Sequence, residues 1–126
     1  MSYPYDLILF DLDGTLIETA PEIADAVNDT LTGLGHPAVS QQQVNDWIGH
    51  GTRELLIKAL AQILGTTTQQ VREAEAFPVI EAEFGQHYLR RCGTRSHLYP
   101  QVRETLMNLR AAGVRLVVMT NKEGRY

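Results

Sequence analysis

Two short apolar runs near the ends of the chain predict buried β-strands. The first is Leu7-Ile8-Leu9-Phe10, which a glycine follows closely, and the second covers residues 114–119 and is apolar except for Arg115. Continuous apolar runs of this length are typical of strands buried on both faces in parallel sheets. We therefore expect both strands in one parallel sheet, joined by a right-handed crossover.

Apolar residues recur at helical spacing between the two strands. Pro21 suits the first turn of a helix that Gly35 can end. Ser40 with Gln43 forms a capping-box pattern at the start of a second, short helix, which stops at Gly49. These signals predict a helical segment soon after the first strand.

The helical pattern continues beyond Gly51. A third helix is expected after Thr52 as its cap, with Gly65 just beyond its end. Residues 68–91 are helical in composition, but Pro78 removes a backbone donor, which predicts two helices or one kinked helix. A last helix is expected to follow Tyr99-Pro100 and precede the second strand.

This order of elements predicts an α/β fold with a partial parallel, Rossmann-like core. The first strand and its loop occupy residues 1–17, the helical insertion residues 18–92, and the final helix and strand residues 93–126. The polar stretch 93–97 is a candidate hinge between insertion and core.

Composition narrows the possible partners. The hydrophobic content of 44% is normal for a protein with a core, and the net charge of −4 gives no general attraction for nucleic acid or an anionic membrane. No apolar run approaches the roughly 20 residues of a membrane span, and no signal-peptide pattern is visible. Cys92 is the single cysteine, so we expect a cytoplasmic protein without an intrachain disulfide.

The segment Asp11-Leu12-Asp13-Gly14-Thr15 carries the clearest chemical signal. It follows the first strand directly, at the edge where open α/β sheets bind ligands. Asp11 can attack a phosphorus atom in line, while Asp13 protonates the leaving oxygen and later activates water, a contribution on the order of 10²–10⁴ in rate. A solvated turn or a calcium loop would be the alternative interpretations.

Two carboxylates and a phosphate in one crevice require a cation. Mg²⁺ prefers oxygen ligands and is commonly held by one or two carboxylates together with substrate phosphate. We therefore expect Asp11 and Asp13 to bind Mg²⁺.

The first motif resembles that of the haloacid dehalogenase superfamily, and the second aspartate, Asp13, points to its phosphatase branch. Thr120 matches the superfamily's second motif, and Thr120-Asn121-Lys122 is similar to the version in phosphoglycolate phosphatases. The resemblance implies phosphate-binding roles for Gly14, Thr15, Thr120, Asn121 and Lys122, although a surface lysine remains an alternative for the last.

Trp47-Ile48-Gly49-His50-Gly51 resembles a loop of the helical cap in the same subfamily. Gly49 and Gly51 would let backbone donors approach an anion, whereas the alternative is a simple turn between helices. The roles of His50, Arg53 and Lys58 stay open, with solvated helix charges favoured for Arg53 and Lys58 over contact with a substrate carboxylate.

The resemblance covers only part of the superfamily pattern. Its third motif, a lysine, and its fourth, an acidic pair, do not follow Thr120 within the six remaining residues. We expect an N-terminal portion with little phosphatase activity of its own, because two strands are too few for a stable sheet.

The resulting functional hypothesis is a magnesium-dependent phosphate-monoester hydrolase that forms an aspartyl-phosphate, with 2-phosphoglycolate as the expected small phosphorylated substrate. One alternative is a non-catalytic module that binds a partner, or swaps with a second copy, through its incomplete core. A sugar-phosphate mutase is the alternative within the superfamily.

Overall fold

A computed structural model describes residues 4–12 and 16–120, and of Ile17 the backbone alone. Within these residues, the chain forms four strands and six helices. They are β1 (Leu7–Asp11), β2 (Ile17–Glu18), α1 (Ala20–Gly33), α2 (Gln41–Trp47), α3 (Thr52–Leu64), α4 (Thr68–Glu73), α5 (Phe77–Arg91), β3 (His97–Leu98), α6 (Val102–Ala111) and β4 (Arg115–Met119).

The first and last strands form the predicted parallel pair. β1 aligns with β4 from Leu7 opposite Arg115 to Asp11 opposite Met119. The short strands β2 and β3 form a separate antiparallel pair, in which Glu18 lies opposite His97. The helices α1 to α5 therefore form an insertion that begins after β2 and ends before β3.

Most of the predicted helix ends are confirmed. Ser40 and Gln43 make both hydrogen bonds of a capping box at α2, and Gly65 ends α3 with a φ of 66°. The stretch with Pro78 contains two helices, α4 and α5, and the proline lies in the first turn of α5. The prediction of Thr52 as a cap is wrong: α3 begins at Thr52, and its N-cap is Gly51, whose positive φ of 88° favours glycine.

The hydrophobic core lies in the helical insertion. α1 packs along α5, and α2, α3 and α4 close the remaining sides. Phe84 and Tyr88 are buried in the centre with their rings edge to face, 5.8 Å apart. The largest fully buried apolar side chains around them are Leu31, Leu55, Leu56, Ile57, Leu60, Val27 and Val44.

The expectation that the strands are buried on both faces is not met in the described part of the chain. Leu9 is 55% exposed and its register partner Val117 is 42% exposed. Partners in a parallel pair lie on the same face of the sheet, so one face of this pair is open. α6 packs against β4. The apolar sequence pattern thus predicts more burial than these elements provide.

Among the described residues, no helix has both the length and the apolar character needed to cross a membrane.

Candidate active site

The structure brings Asp11 and Thr120 to the same edge of the parallel pair. Asp11 is the last residue of β1, and Thr120 comes directly after β4. A crevice of about 360 Å³ opens at this edge, lined by Leu9, Phe10, Asp11, Met119 and Thr120. Ligands of open α/β folds bind outside the carboxyl ends of the strands, which is the position of this crevice.

The carboxylate of Asp11 is exposed and oriented by the backbone. Its Oδ1 accepts a hydrogen bond from the N–H of Leu12 at 3.0 Å. The carbonyl of Leu12 in turn accepts from the N–H of Leu16 at 3.0 Å, so the two described ends of the motif loop are tied together.

Several predicted site residues lie outside the described residues. These are Asp13, Gly14 and Thr15 in the first motif, and Asn121 and Lys122 after β4. Their roles stay predictions.

Among its described lining residues, the crevice contains one carboxylate, a group that suits a hard cation. Asp11 provides carboxylate oxygen at the strand end, which is the ligand chemistry of Mg²⁺. Within residues 4–12 and 16–120, no group of three or more histidine, cysteine, aspartate or glutamate side chains is placed to hold a metal. The second predicted ligand, Asp13, lies outside these ranges.

Gly49 and Gly51 lie between α2 and α3, in the insertion and not on the sheet. Both have positive φ, 128° and 88°, which only glycine adopts without strain. A Cβ at Gly49 would meet nothing within 4 Å. The glycine requirement at Gly49 therefore comes from backbone conformation and not from crowding, and its predicted role toward a substrate stays a prediction.

Arg53 joins two helices, a role that the sequence did not reveal. Its Nε donates to Oε2 of Glu81 at 2.8 Å, and its guanidinium lies 5.4 Å from the ring centre of Phe77. Both partners are on α5, so Arg53 ties α3 to α5. Partners that lie 24 and 28 positions away along the chain follow no local spacing rule.

The two connections between insertion and sheet lie side by side. β2 and β3 pair, the N–H of Tyr99 donates to the carbonyl of Leu16 at 3.2 Å, and His97 Nε2 lies 3.1 Å from Glu18 Oε2. The predicted hinge stretch 93–97 thus ends in a short two-stranded ribbon.

Residues 5–125 match the family of haloacid dehalogenase-like hydrolases. The chain belongs to this family. It is 38% identical over 125 residues to a phosphoglycolate phosphatase of Vibrio parahaemolyticus, a match that covers 95% of this chain and 52% of the relative. A phosphoglycolate phosphatase of Haemophilus influenzae is 37% identical over 126 residues, covering 100% of this chain and 56% of the relative.

Solved structures agree with the fold. A crystal structure described as a predicted phosphoglycolate phosphatase from Haemophilus somnus superposes with a TM-score of 0.80 at 33% identity, over 96% of this chain and 53% of that chain. A structure from Lactobacillus delbrueckii at 22% identity has a TM-score of 0.85, over 96% of this chain and 56% of that chain, and shows the shared fold alone. The chain spans about half the length of the relatives it matches.

Proposed function

We propose that this chain carries the nucleophile of a magnesium-dependent phosphate-monoester hydrolase that works through an aspartyl-phosphate. One observation carries the proposal: Asp11 and Thr120 share a crevice at the carboxyl edge of the parallel pair β1 and β4. An exposed carboxylate with one oxygen held by a backbone N–H suits attack by the other oxygen.

The reaction proceeds in two balanced steps. Oδ2 of Asp11 attacks phosphorus, the bond from phosphorus to the ester oxygen breaks, and Asp13 donates its proton to the departing oxygen. Asp13, now ionised, takes a proton from water while that water attacks phosphorus. The bond between phosphorus and Oδ2 of Asp11 breaks, inorganic phosphate leaves, and Asp11 is regenerated as a carboxylate, with Asp13 protonated again.

The surrounding residues hold the phosphoryl group. The Thr120 hydroxyl and the backbone near Asn121 hydrogen-bond phosphoryl oxygens, Lys122 offsets their charge, and Gly14 and Thr15 provide backbone donors. Asp11 and Asp13 would hold Mg²⁺, which when bound reduces the repulsion between carboxylates and phosphate.

The names of the relatives support 2-phosphoglycolate as the substrate. Two of the curated relatives are phosphoglycolate phosphatases at 37% and 38% identity. Gly49 and Gly51 precede α3, and backbone donors at such a position suit an anionic substrate group.

The experiment compares this chain with a protein extended to the length of its relatives. Phosphate release is measured with 2-phosphoglycolate and with a neutral-tailed ester such as glycerol phosphate, with Mg²⁺ and with EDTA. We expect magnesium-dependent release by the longer protein, faster with 2-phosphoglycolate, and little release by the 126-residue chain. Equal rates with Mg²⁺ and with EDTA would contradict the proposed requirement for Mg²⁺. Equal rates for the two esters would contradict 2-phosphoglycolate as the preferred substrate.

Self-association is a second candidate function that one observation favours. Leu7, Leu9, Val117 and Met119 are all substantially exposed on one face of β1 and β4, where Leu9 and Val117 are register partners. An uncovered apolar sheet face can pack against another copy of the chain. Light scattering across a concentration series would detect this, and Leu9→Lys should abolish it while Val79→Lys, on exposed α5 surface, should not.

A further inference from the structure

Three acidic residues lie along one face of α1 and contact the C-terminal end of the insertion. Glu22, Asp25 and Asp29 are spaced by three and four positions, which aligns them along a helix. Asp29 accepts two hydrogen bonds from Arg91, at 2.8 and 3.1 Å, and Asp25 Oδ2 lies 3.3 Å from Arg95 Nε. The segment after α5 therefore runs antiparallel along α1, toward its N-terminus.

Glu22 is the least ordinary member of this set. Its side chain is only 1% exposed, and its Oε2 accepts a hydrogen bond from the backbone N–H of Arg95 at 3.2 Å. A buried carboxylate is costly unless it is hydrogen-bonded, and the first turn of a helix favours negative charge. This hydrogen bond joins residues 73 positions apart in the sequence. Because the donor is a backbone N–H, the bond positions the main chain at Arg95 and not only a side chain.

The segment between Arg91 and Arg95 is itself well structured. The N–H of Cys92 donates to the carbonyl of Tyr88 at 2.7 Å, and that of Thr94 donates to the carbonyl of Arg91 at 3.0 Å. Gly93 has the positive φ of 84° common just beyond a helix. These residues complete the end of α5.

We propose that Glu22, Asp25 and Asp29 form an acidic clasp that makes residues 92–95 part of the helical insertion. Bending between insertion and sheet is thereby confined to the paired strands β2 and β3. Glu22 is a positioning residue, because it acts through the backbone of Arg95. The proposal moves the hinge from the stretch 93–97 to the ribbon beside Glu18 and His97, and it is independent of the proposed catalysis.

The test is nuclear magnetic resonance of the 126-residue chain, using the backbone amide of Arg95. We expect its order parameter to match the amides of α5 and its hydrogen exchange to be slow. Glu22→Ala should speed exchange at Arg95 roughly tenfold and leave the amides of α3 unchanged. Glu22→Gln keeps an acceptor oxygen and should restore the slow exchange.

Two further results separate the clasp from general destabilisation. Arg95→Ala removes the ion pair with Asp25 but keeps the backbone N–H that donates to Glu22, so residue 95 should stay better protected than in Glu22→Ala. If Glu22→Ala does not fold, the double variant Asp25→Asn with Asp29→Asn replaces it and should raise the mobility of residues 92–95. An order parameter at Arg95 below about 0.6 in the wild-type chain would overturn the proposal, as would unchanged exchange in a folded Glu22→Ala variant.

Discussion

Asp11 and Met119 are register partners at the carboxyl ends of two parallel strands, so the residue after Met119 follows at the same edge of the sheet as Asp11. That residue is Thr120, which lines the same crevice. Parallel pairing is what brings these side chains together from positions more than a hundred residues apart. In an antiparallel pair, the carboxyl ends of the two strands would lie at opposite edges of the sheet.

The capping box of α2 should contribute measurably to stability. Ser40→Ala removes the acceptor for the N–H of Gln43, and we expect a loss of about 1 kcal/mol in the free energy of unfolding. Urea titration followed by circular dichroism measures this loss. Ser40→Asp keeps an acceptor and should be close to wild type, and an equal loss in both variants would contradict the capping role.

Gly49 should be intolerant of any side chain for conformational reasons. Its φ of 128° is strained for an L residue, although a Cβ would meet nothing within 4 Å. Gly49→Ala should therefore cost about 1–2 kcal/mol of unfolding free energy. Gly33→Ala is the matched control, since Gly33 has equally open space without a positive φ and lies in α1. Two equal losses would show that conformation is not the cause.

Two ion pairs should make the stability of the insertion depend on pH. Hydrogen bonds from Arg91 hold the pKa of Asp29 below its ordinary value of 3.8, and those from Arg72 hold the pKa of Glu54 below 4.5. A lowered pKa in the folded state means that the stabilisation is present above the ordinary value. It is lost as the pH falls through the folded-state value.

The matched variants are Asp29→Asn and Glu54→Gln. We expect each to lower the urea midpoint at pH 7, and the difference from wild type to shrink steadily between pH 5 and about pH 2. Urea titrations at several pH values measure this. A difference that stays constant down to pH 2 would exclude the carboxylate charge as its source.

The local features of the fold could be predicted from sequence, because each depends on neighbouring residues. The capping box at Ser40, the left-handed Gly65 and the strand of residues 7–11 follow from such short-range rules. The N-cap of α3 differs from the prediction, because residue preferences favour threonine over glycine as a cap. The N-cap is Gly51, whose backbone has a positive φ that suits glycine.

Long-range contacts could not be predicted in this way. The partners of Arg53 and Glu22 lie 28 and 73 positions away, and they depend on how α1, α3 and α5 pack. The burial of β1 and β4 differs from the prediction for a related reason. An apolar run shows that a strand is suited to burial, but it does not show which other elements cover the strand. For the candidate site, the parallel pairing predicted from the two apolar runs is confirmed, and this pairing places Asp11 and Thr120 at one edge of the sheet.

The most direct test of the proposed chemistry is to trap the covalent intermediate in the protein extended to the length of its relatives. The enzyme is mixed with 2-phosphoglycolate and Mg²⁺, quenched within one turnover and reduced with borohydride, which converts an acyl-phosphate to an alcohol. Peptide mass spectrometry should then find the reduced residue at position 11. Asp11→Asn should abolish both this product and turnover, whereas Asp6→Asn, just before the same strand, should retain both. Normal turnover by the Asp11→Asn variant would contradict the account.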